Sequence, residues 1–167
     1  MTFKDVFMEK WMPVIISGII LSSLGHLYWQ KQKEMENRQL IINNKIQTYV
    51  NTSKLLTDIT NNIDKIADLQ KDPTIKYTDP RIQELIKKDD SIASELGANF
   101  AYAKLFFRSE TTNKIYEFKS LYYEVMTAFM EHPDKKLNRV DRNSPFYNMT
   151  MAVLDSMSEE IKINLSK

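Results

Sequence analysis

The stretch WMPVIISGIILSSLGHLYW, residues 11–29, contains no Asp, Glu, Lys or Arg. At a rise of about 1.5 Å per residue, a helix of this length crosses the roughly 30 Å apolar core of a bilayer. Trp11 and Trp29 close its two ends, and Tyr28 lies beside the second, where amphipathic aromatic rings concentrate in membrane proteins. The sequence therefore predicts one transmembrane helix over residues 11–29, preceded by a short N-terminal tail over residues 1–10.

A cleaved signal peptide is the alternative interpretation of the same stretch. Lysines precede the apolar run, and Ser23 and Gly25 are small residues placed like a cleavage site. However, acidic residues balance those lysines, and the apolar run continues past Gly25 to Trp29. We therefore expect a retained anchor.

The basic residues on either side of the span bear on its orientation. Lys31, Lys33 and Arg38 follow the span, against two lysines before it. Because cytoplasmic flanks carry the excess of Lys and Arg, this slight difference favours a single-pass protein of the inner or plasma membrane with its C-terminal domain in the cytoplasm.

Small residues recur along one face of the predicted span. Gly18, Ser22 and Gly25 are spaced i, i+4 and i+7, and His26 lies on nearly the same side. Such spacing permits close approach of a second helix. It predicts a membrane helix-packing face for a homo-oligomer or a protein partner, with a plain lipid-exposed surface as the alternative.

The chain becomes polar immediately after the span. Residues 30–39, QKQKEMENRQ, are polar on every helical face and predict a helical stalk, open to self-association as a coiled coil. No proline or glycine interrupts the chain before Pro73, and apolar residues spaced three and four apart begin at Ile42. The expected inner positions are Ile42, Ile46, Tyr49, Leu56, Ile59, Ile63 and Ile66. One helix is therefore expected from the membrane to about Leu69.

Turn and capping signals divide the remaining chain into three further helices. Asp79-Pro80 and Ser144-Pro145 each pair an N-cap residue with proline at the first helical position. His132-Pro133 ends another helix, and the low helix propensity of residues 108–113 predicts a break there. The predicted fold is all-α: a single N-terminal transmembrane helix continues into a long helix, which packs in a soluble antiparallel helical bundle of about four helices over residues 40–167.

The helix expected at about residues 114–131 has the most regular apolar pattern. Its predicted inner residues are Ile115, Phe118, Tyr122, Val125 and Phe129. Glu117, Glu124 and Glu131 recur every seven residues on the outer side. In the preceding helix, expected from Pro80 to about Phe107, Asp89 falls on the inner line, which predicts a carboxylate at a wet bundle edge or paired with a basic side chain.

One loop is locally basic. Lys135, Lys136, Arg139 and Arg142 outnumber the two aspartates of the segment PDKKLNRVDRNS. A solvated loop is the simplest interpretation, and a contact with anionic lipid headgroups or an acidic partner is the functional alternative.

Composition excludes several kinds of site. The 167 residues contain no cysteine, three glycines and two histidines far apart in the chain, so no zinc knuckle, thiol nucleophile, phosphate-binding loop or four-helix di-iron motif can be recognised. A net charge of +1 without an organised basic stripe gives no indication of nucleic-acid binding. We expect no cofactor, no metal and no identifiable small-molecule substrate; the expected partners are membrane lipid and protein.

These features predict a bitopic membrane-anchored helical protein. Its expected role is that of a non-enzymatic subunit that binds a partner, senses a state, or acts as a scaffold or relay. The alternatives are a membrane-acting, holin-like effector and a spanin-like connector of envelope layers.

Overall fold

A computed structural model describes residues 12–132 and 136–166, and their side chains from residue 17 onward. These residues form four α-helices and no strand, which confirms the predicted all-α class. The helices are α1 (Met12–Leu69), α2 (Pro80–Ala103), α3 (Ser109–Glu131) and α4 (Pro145–Leu165).

The chain divides into two compact units, Met1–Ile41 and Ile42–Lys167, which we call the N-terminal unit and the bundle unit. Helix α1 contributes residues to both. In the N-terminal unit, every described side chain from residue 17 to residue 41 is exposed.

The predicted transmembrane helix gains no support from the structure. Among the residues searched, which are the described ones, no helix is both long and apolar enough to cross a bilayer. Trp11 and the predicted tail over residues 1–10 lie outside the described residues.

The two predicted proline-linked caps are confirmed. The Asp79 carboxylate accepts a hydrogen bond of 2.9 Å from the amide of Arg81 at the start of α2. The Ser144 hydroxyl accepts one of 3.1 Å from the amide of Tyr147 at the start of α4. In both helices proline occupies the first turn, where its missing N–H costs no intrahelical hydrogen bond.

The break between the second and third helices lies earlier than predicted. Helix α2 ends at Ala103, and α3 already begins at Ser109, inside the segment predicted to separate them. The Phe107 amide folds back onto the Ala103 carbonyl at 2.9 Å, and the Phe107 ring is buried. The next amide, that of Arg108, donates to Glu160 of α4. This tertiary contact, which local propensity cannot reveal, fixes the turn.

Contacts between helices show that the bundle is antiparallel. Between α2 and α3, Asp89 contacts Tyr122 and Phe100 contacts Phe118. Residue numbers rise along α2 as they fall along α3, so these two helices are antiparallel. Phe118 also meets Phe146 at the start of α4. The bundle unit holds a large apolar cluster that draws on all four helices and a smaller one near Ile66, Ile82, Ile86 and Phe129.

The predicted inner face of α3 is confirmed, except that Met126 is buried where Val125 is only half-buried. The predicted outer glutamates of α3 are exposed. The inner face of α1 differs more: Ile46 is exposed, while Lys45, Thr48 and Thr52 are buried. Lys45 pairs with Glu160 of α4, Thr52 accepts a hydrogen bond from Asn99 of α2, and the Thr48 hydroxyl donates to the Asn44 carbonyl of its own helix.

Candidate functional site

The predicted packing face of the N-terminal unit is open. Gly18, Ser22, Gly25 and His26 are all exposed, and a Cβ atom added to either glycine would meet no described atom within 4 Å. The His26 ring stacks on Trp29 at 6.1 Å, and its Nε2 lies 2.9 Å from the side-chain nitrogen of Gln30. Packing of a second helix against this face stays a prediction.

The structure describes three of the four basic residues predicted to act together. Lys135 lies outside the described residues, and Lys136 and Arg142 are exposed. The Arg139 guanidinium pairs with the Asp68 carboxylate of α1 at 2.6 Å. Hydrogen bonds from Lys71 and Arg139 hold the pKa of Asp68 below its ordinary value. All three described residues are exposed, but Arg139 is engaged by Asp68, whereas Lys136 and Arg142 form no ion pair with a described residue.

Residues 136–140, which we call the strap, lie along α1. The Leu137 amide donates to the Gln70 side-chain carbonyl at 2.9 Å, and the Val140 amide donates to Asp64 at 2.8 Å. Together with the Arg139 ion pair, these contacts attach an irregular segment at three points: two on the last turns of α1 and one on Gln70, the residue after it.

An apolar cavity of about 310 Å³ lies between the strap, α3 and the start of α4. Its lining side chains come from α1, α3, α4 and the strap. They are mostly apolar and include Ile63, Leu121, Val125, Phe129, Val140 and Phe146. Lys136 and Arg139 also line it, so the cavity combines an apolar interior with basic residues.

A second feature is the buried ion pair between α1 and α4. The Lys45 ammonium lies 3.1 Å from the Glu160 carboxylate, and each side chain is less than one-tenth exposed. Glu160 also accepts hydrogen bonds from the Thr111 hydroxyl and the Arg108 amide. Because the Thr111 hydroxyl donates to Glu160, Ser156 must supply the donor of the 2.8 Å Ser156–Thr111 bond. We call these residues the Glu160 centre.

The hydrogen bonds around Glu160 decide its ionisation. Burial pushes the pKa of this carboxyl upward, but the hydrogen bonds from Thr111, Lys45 and the Arg108 amide outweigh it and hold the pKa below the ordinary value. Glu160 is therefore a carboxylate at neutral pH. With its partners this well buried, the Glu160 centre exposes little surface to a substrate and instead joins α1, α4 and the start of α3.

A third feature is the buried carboxyl of Asp89. The Tyr122 hydroxyl donates to its Oδ2 at 2.7 Å, and Asp89 is fully buried. The Asn62 side chain faces the same carboxyl without reaching hydrogen-bond geometry, so Asp89 Oδ1 and Asn62 Nδ2 both lack a partner among the described residues. The expected wet edge or basic partner is therefore wrong: the carboxyl lies in the core beside a phenol and a carboxamide.

The Asp89 carboxyl resists ionisation. Burial raises its pKa, and the hydrogen bond from Tyr122 and the Asn62 side chain oppose that rise only in part. The exposed neighbour Asp90 raises the pKa slightly further. The same burial, together with Asp89, raises the pKa of the Tyr122 phenol.

Asp89→Asn is expected to stabilise the bundle at neutral pH by about 1–3 kcal/mol, because it removes a buried charge with an unpaired oxygen. Because the pKa of Asp89 is raised in the folded protein, the wild type has its full stability below the unfolded pKa of 3.8. That stability is lost as pH rises through the folded pKa of Asp89. The difference in stability between Asp89→Asn and the wild type should therefore vanish in acid. Urea unfolding of both proteins between pH 3 and pH 8 would measure it.

Asp90→Asn, the exposed neighbour, is the matched control and should change stability little. An advantage of Asp89→Asn that is the same at every pH would show that ionisation of Asp89 is not its cause.

No group of three or more His, Cys, Asp or Glu among the residues searched, which are the described ones, could hold a metal ion. The strap and its cavity form an accessible part of the bundle unit that combines apolar volume with charge. The sequence predicted the basic loop, but it did not predict the cavity, whose walls come from segments far apart in the chain.

The sequence analysis also missed the Glu160 centre. The available signal was Lys45, which falls on the inner face of α1 between Ile42 and Ile46.

No protein-family model matches the chain, and neither a curated protein sequence nor a solved structure matches it significantly.

Proposed function

We propose that this protein is a membrane-anchored, non-enzymatic binding subunit. The N-terminal apolar segment, residues 11–29, holds it at the bilayer as a single-pass helix, and the bundle unit binds a partner or senses a state on the cytoplasmic side. Within this proposal, membrane lipid and a second protein chain are the partners of the N-terminal segment.

The exposure of large apolar side chains in the N-terminal unit carries the proposal. Between residues 19 and 29 these are Ile19, Ile20, Leu21, Leu24, Leu27, Tyr28 and Trp29, each more than half exposed. Monomeric soluble proteins rarely leave so much contiguous apolar surface in water. Because the stretch also lacks formal charge from residue 11 to residue 29, lipid is the environment that suits it best.

The bundle unit supports a binding role over that of an extended connector. It has two apolar clusters and buried polar contacts between its helices. A spanin-like connector needs no such core. A holin-like effector would instead act through the N-terminal segment, and rapid loss of membrane potential on overexpression would favour that alternative.

Replacing both Ile19 and Ile20 with Lys is expected to release the full-length protein from the membrane fraction. Each lysine at the centre of a spanning helix costs about 2.5–3.5 kcal/mol of insertion free energy. The measurement is the share of protein that sediments with membranes after carbonate extraction. The control replaces Leu40 and Ile41 with Lys. This pair lies outside the proposed anchor and is exposed to a similar extent, 60% and 45% against 61% and 53% for Ile19 and Ile20.

The control protein should remain in the membrane fraction. If the wild-type chain is soluble after carbonate treatment, or if the Ile19 and Ile20 variant still sediments with membranes, the anchor proposal is wrong.

A further inference from the structure

The cavity beneath the strap has the size and lining of a small ligand site. Its volume of about 310 Å³ lies near the lower limit for such sites, which is about 300 Å³. Apolar side chains of three helices form most of its lining. A water molecule needs two to four polar partners to be held well, and such walls offer few. Apolar groups of a ligand would therefore replace water there at little cost.

The polar part of the lining is positively charged. It consists of Lys136, Asn138, Arg139 and Ser144, and it includes no carboxylate among the described residues. Arg139 is engaged by Asp68, whereas the exposed Lys136 forms no ion pair with any described residue. The charge that remains available to a ligand is therefore the Lys136 ammonium, since the Ser144 hydroxyl already donates to the Asp141 carbonyl.

The strap is already held in place without a ligand. A hydrogen bond from the Leu137 amide to Gln70, just past α1, and one from the Val140 amide to Asp64 of α1 attach it on both sides of the Arg139 ion pair. Because sites for small molecules are usually largely pre-formed, little ordering free energy has to be spent on binding.

We propose that this cavity binds a single-chain amphiphile with a carboxylate head, such as a fatty acid. The hydrocarbon chain lies among Ile63, Val125 and Phe129, and the carboxylate lies at the ammonium of Lys136. The small volume selects one chain over the two chains of a phospholipid, and the charge of the lining selects an anion. This inference concerns the bundle unit and does not depend on the anchor.

Single cysteines can report occupancy, since the chain has none of its own. Ala128→Cys places a thiol on the cavity lining, and Met130→Cys places one on an exposed part of the same helix outside the lining. The full-length variants are treated with a thiol reagent in the presence of sodium dodecanoate. The comparison compound is dodecyltrimethylammonium, which has the same chain length and the opposite charge.

At dodecanoate concentrations about ten times its dissociation constant, modification at position 128 should slow about tenfold, because about one site in ten remains empty. Modification at position 130 should not change, and dodecyltrimethylammonium should protect neither position. Equal protection by both compounds, or no protection by dodecanoate at saturation, would overturn the proposal.

Lys136→Glu in the Ala128→Cys background should raise the dodecanoate concentration needed for half protection by about tenfold or more, as expected for the loss of a charge-assisted hydrogen bond. Lys162→Glu, an exposed substitution on α4 outside the lining, controls for the change in net charge. An identical shift in both variants would show that Lys136 does not hold the head group. Circular dichroism of each variant verifies that the helices are retained.

Discussion

Phe118→Ala is expected to destabilise the bundle unit by about 3–5 kcal/mol, the cost typical of removing a buried phenylalanine. The Phe118 ring is completely buried on α3. Its centroid lies 6.3 Å from that of Phe100 on α2 and 5.1 Å from that of Phe146 at the start of α4. Because three helices meet at this ring, the cavity left by alanine cannot close by moving one side chain.

The loss would be a large share of the 5–15 kcal/mol that stabilises a typical domain. Urea unfolding of the full-length protein, followed by circular dichroism, measures it. Glu117→Ala changes the adjacent exposed residue of the same helix and should cost less than about 0.5 kcal/mol. A larger cost for Glu117 than for Phe118 would mean that the inner and outer faces of α3 have been exchanged.

Lys45→Met is expected to cost about 3 kcal/mol at neutral pH, the lower end of the range for breaking a buried ion pair. The substitution keeps an unbranched apolar side chain beside Phe107, whose ring centre lies 5.1 Å from the Lys45 ammonium. It leaves Glu160 ionised and buried without a countercharge. The lower end applies because the Thr111 hydroxyl and the Arg108 amide still donate to the carboxylate.

The cost should depend on pH in a defined direction. Because the folded pKa of Glu160 is lowered, its contribution to stability is present above the unfolded value of about 4.5 and is lost as pH falls through the folded pKa. In acid, Glu160 becomes neutral and no longer needs Lys45, so the difference between Lys45→Met and the wild type should shrink.

Unfolding measured at pH 7 and pH 3 tests this expectation. Lys54→Met, an exposed lysine on α1, serves as the control and should change stability little at either pH. A pH-independent loss in Lys45→Met would assign the effect to packing against Phe107 instead of to the charge of Glu160. The contribution of Asp89 to stability changes with pH in the opposite direction, so the effects of the two carboxyl groups can be distinguished.

Local features of the sequence determined the elements of this fold. The end of α1 at Leu69 and the starts of α2 at Pro80 and α4 at Pro145 follow from helix breakers, caps and first-turn prolines. These signals act through backbone geometry within a few residues, which is why they can be found without the fold. The inner face of α3 follows from apolar spacing, since burial on one side of a helix repeats every three to four residues.

Only the tertiary structure decided what the polar inner residues do and where the accessible cavity lies. Lys45 is buried and Ile46 exposed because Glu160, more than one hundred residues later, supplies the countercharge. Asp89 lies in the core because Tyr122 donates to it, and α2 ends at Ala103 beside a turn whose next amide is held by the same Glu160. The cavity has walls from α1, α3, α4 and the strap. Each of these features depends on contacts between residues far apart in the sequence, and the spacing of residues along the chain does not reveal which of them meet after folding.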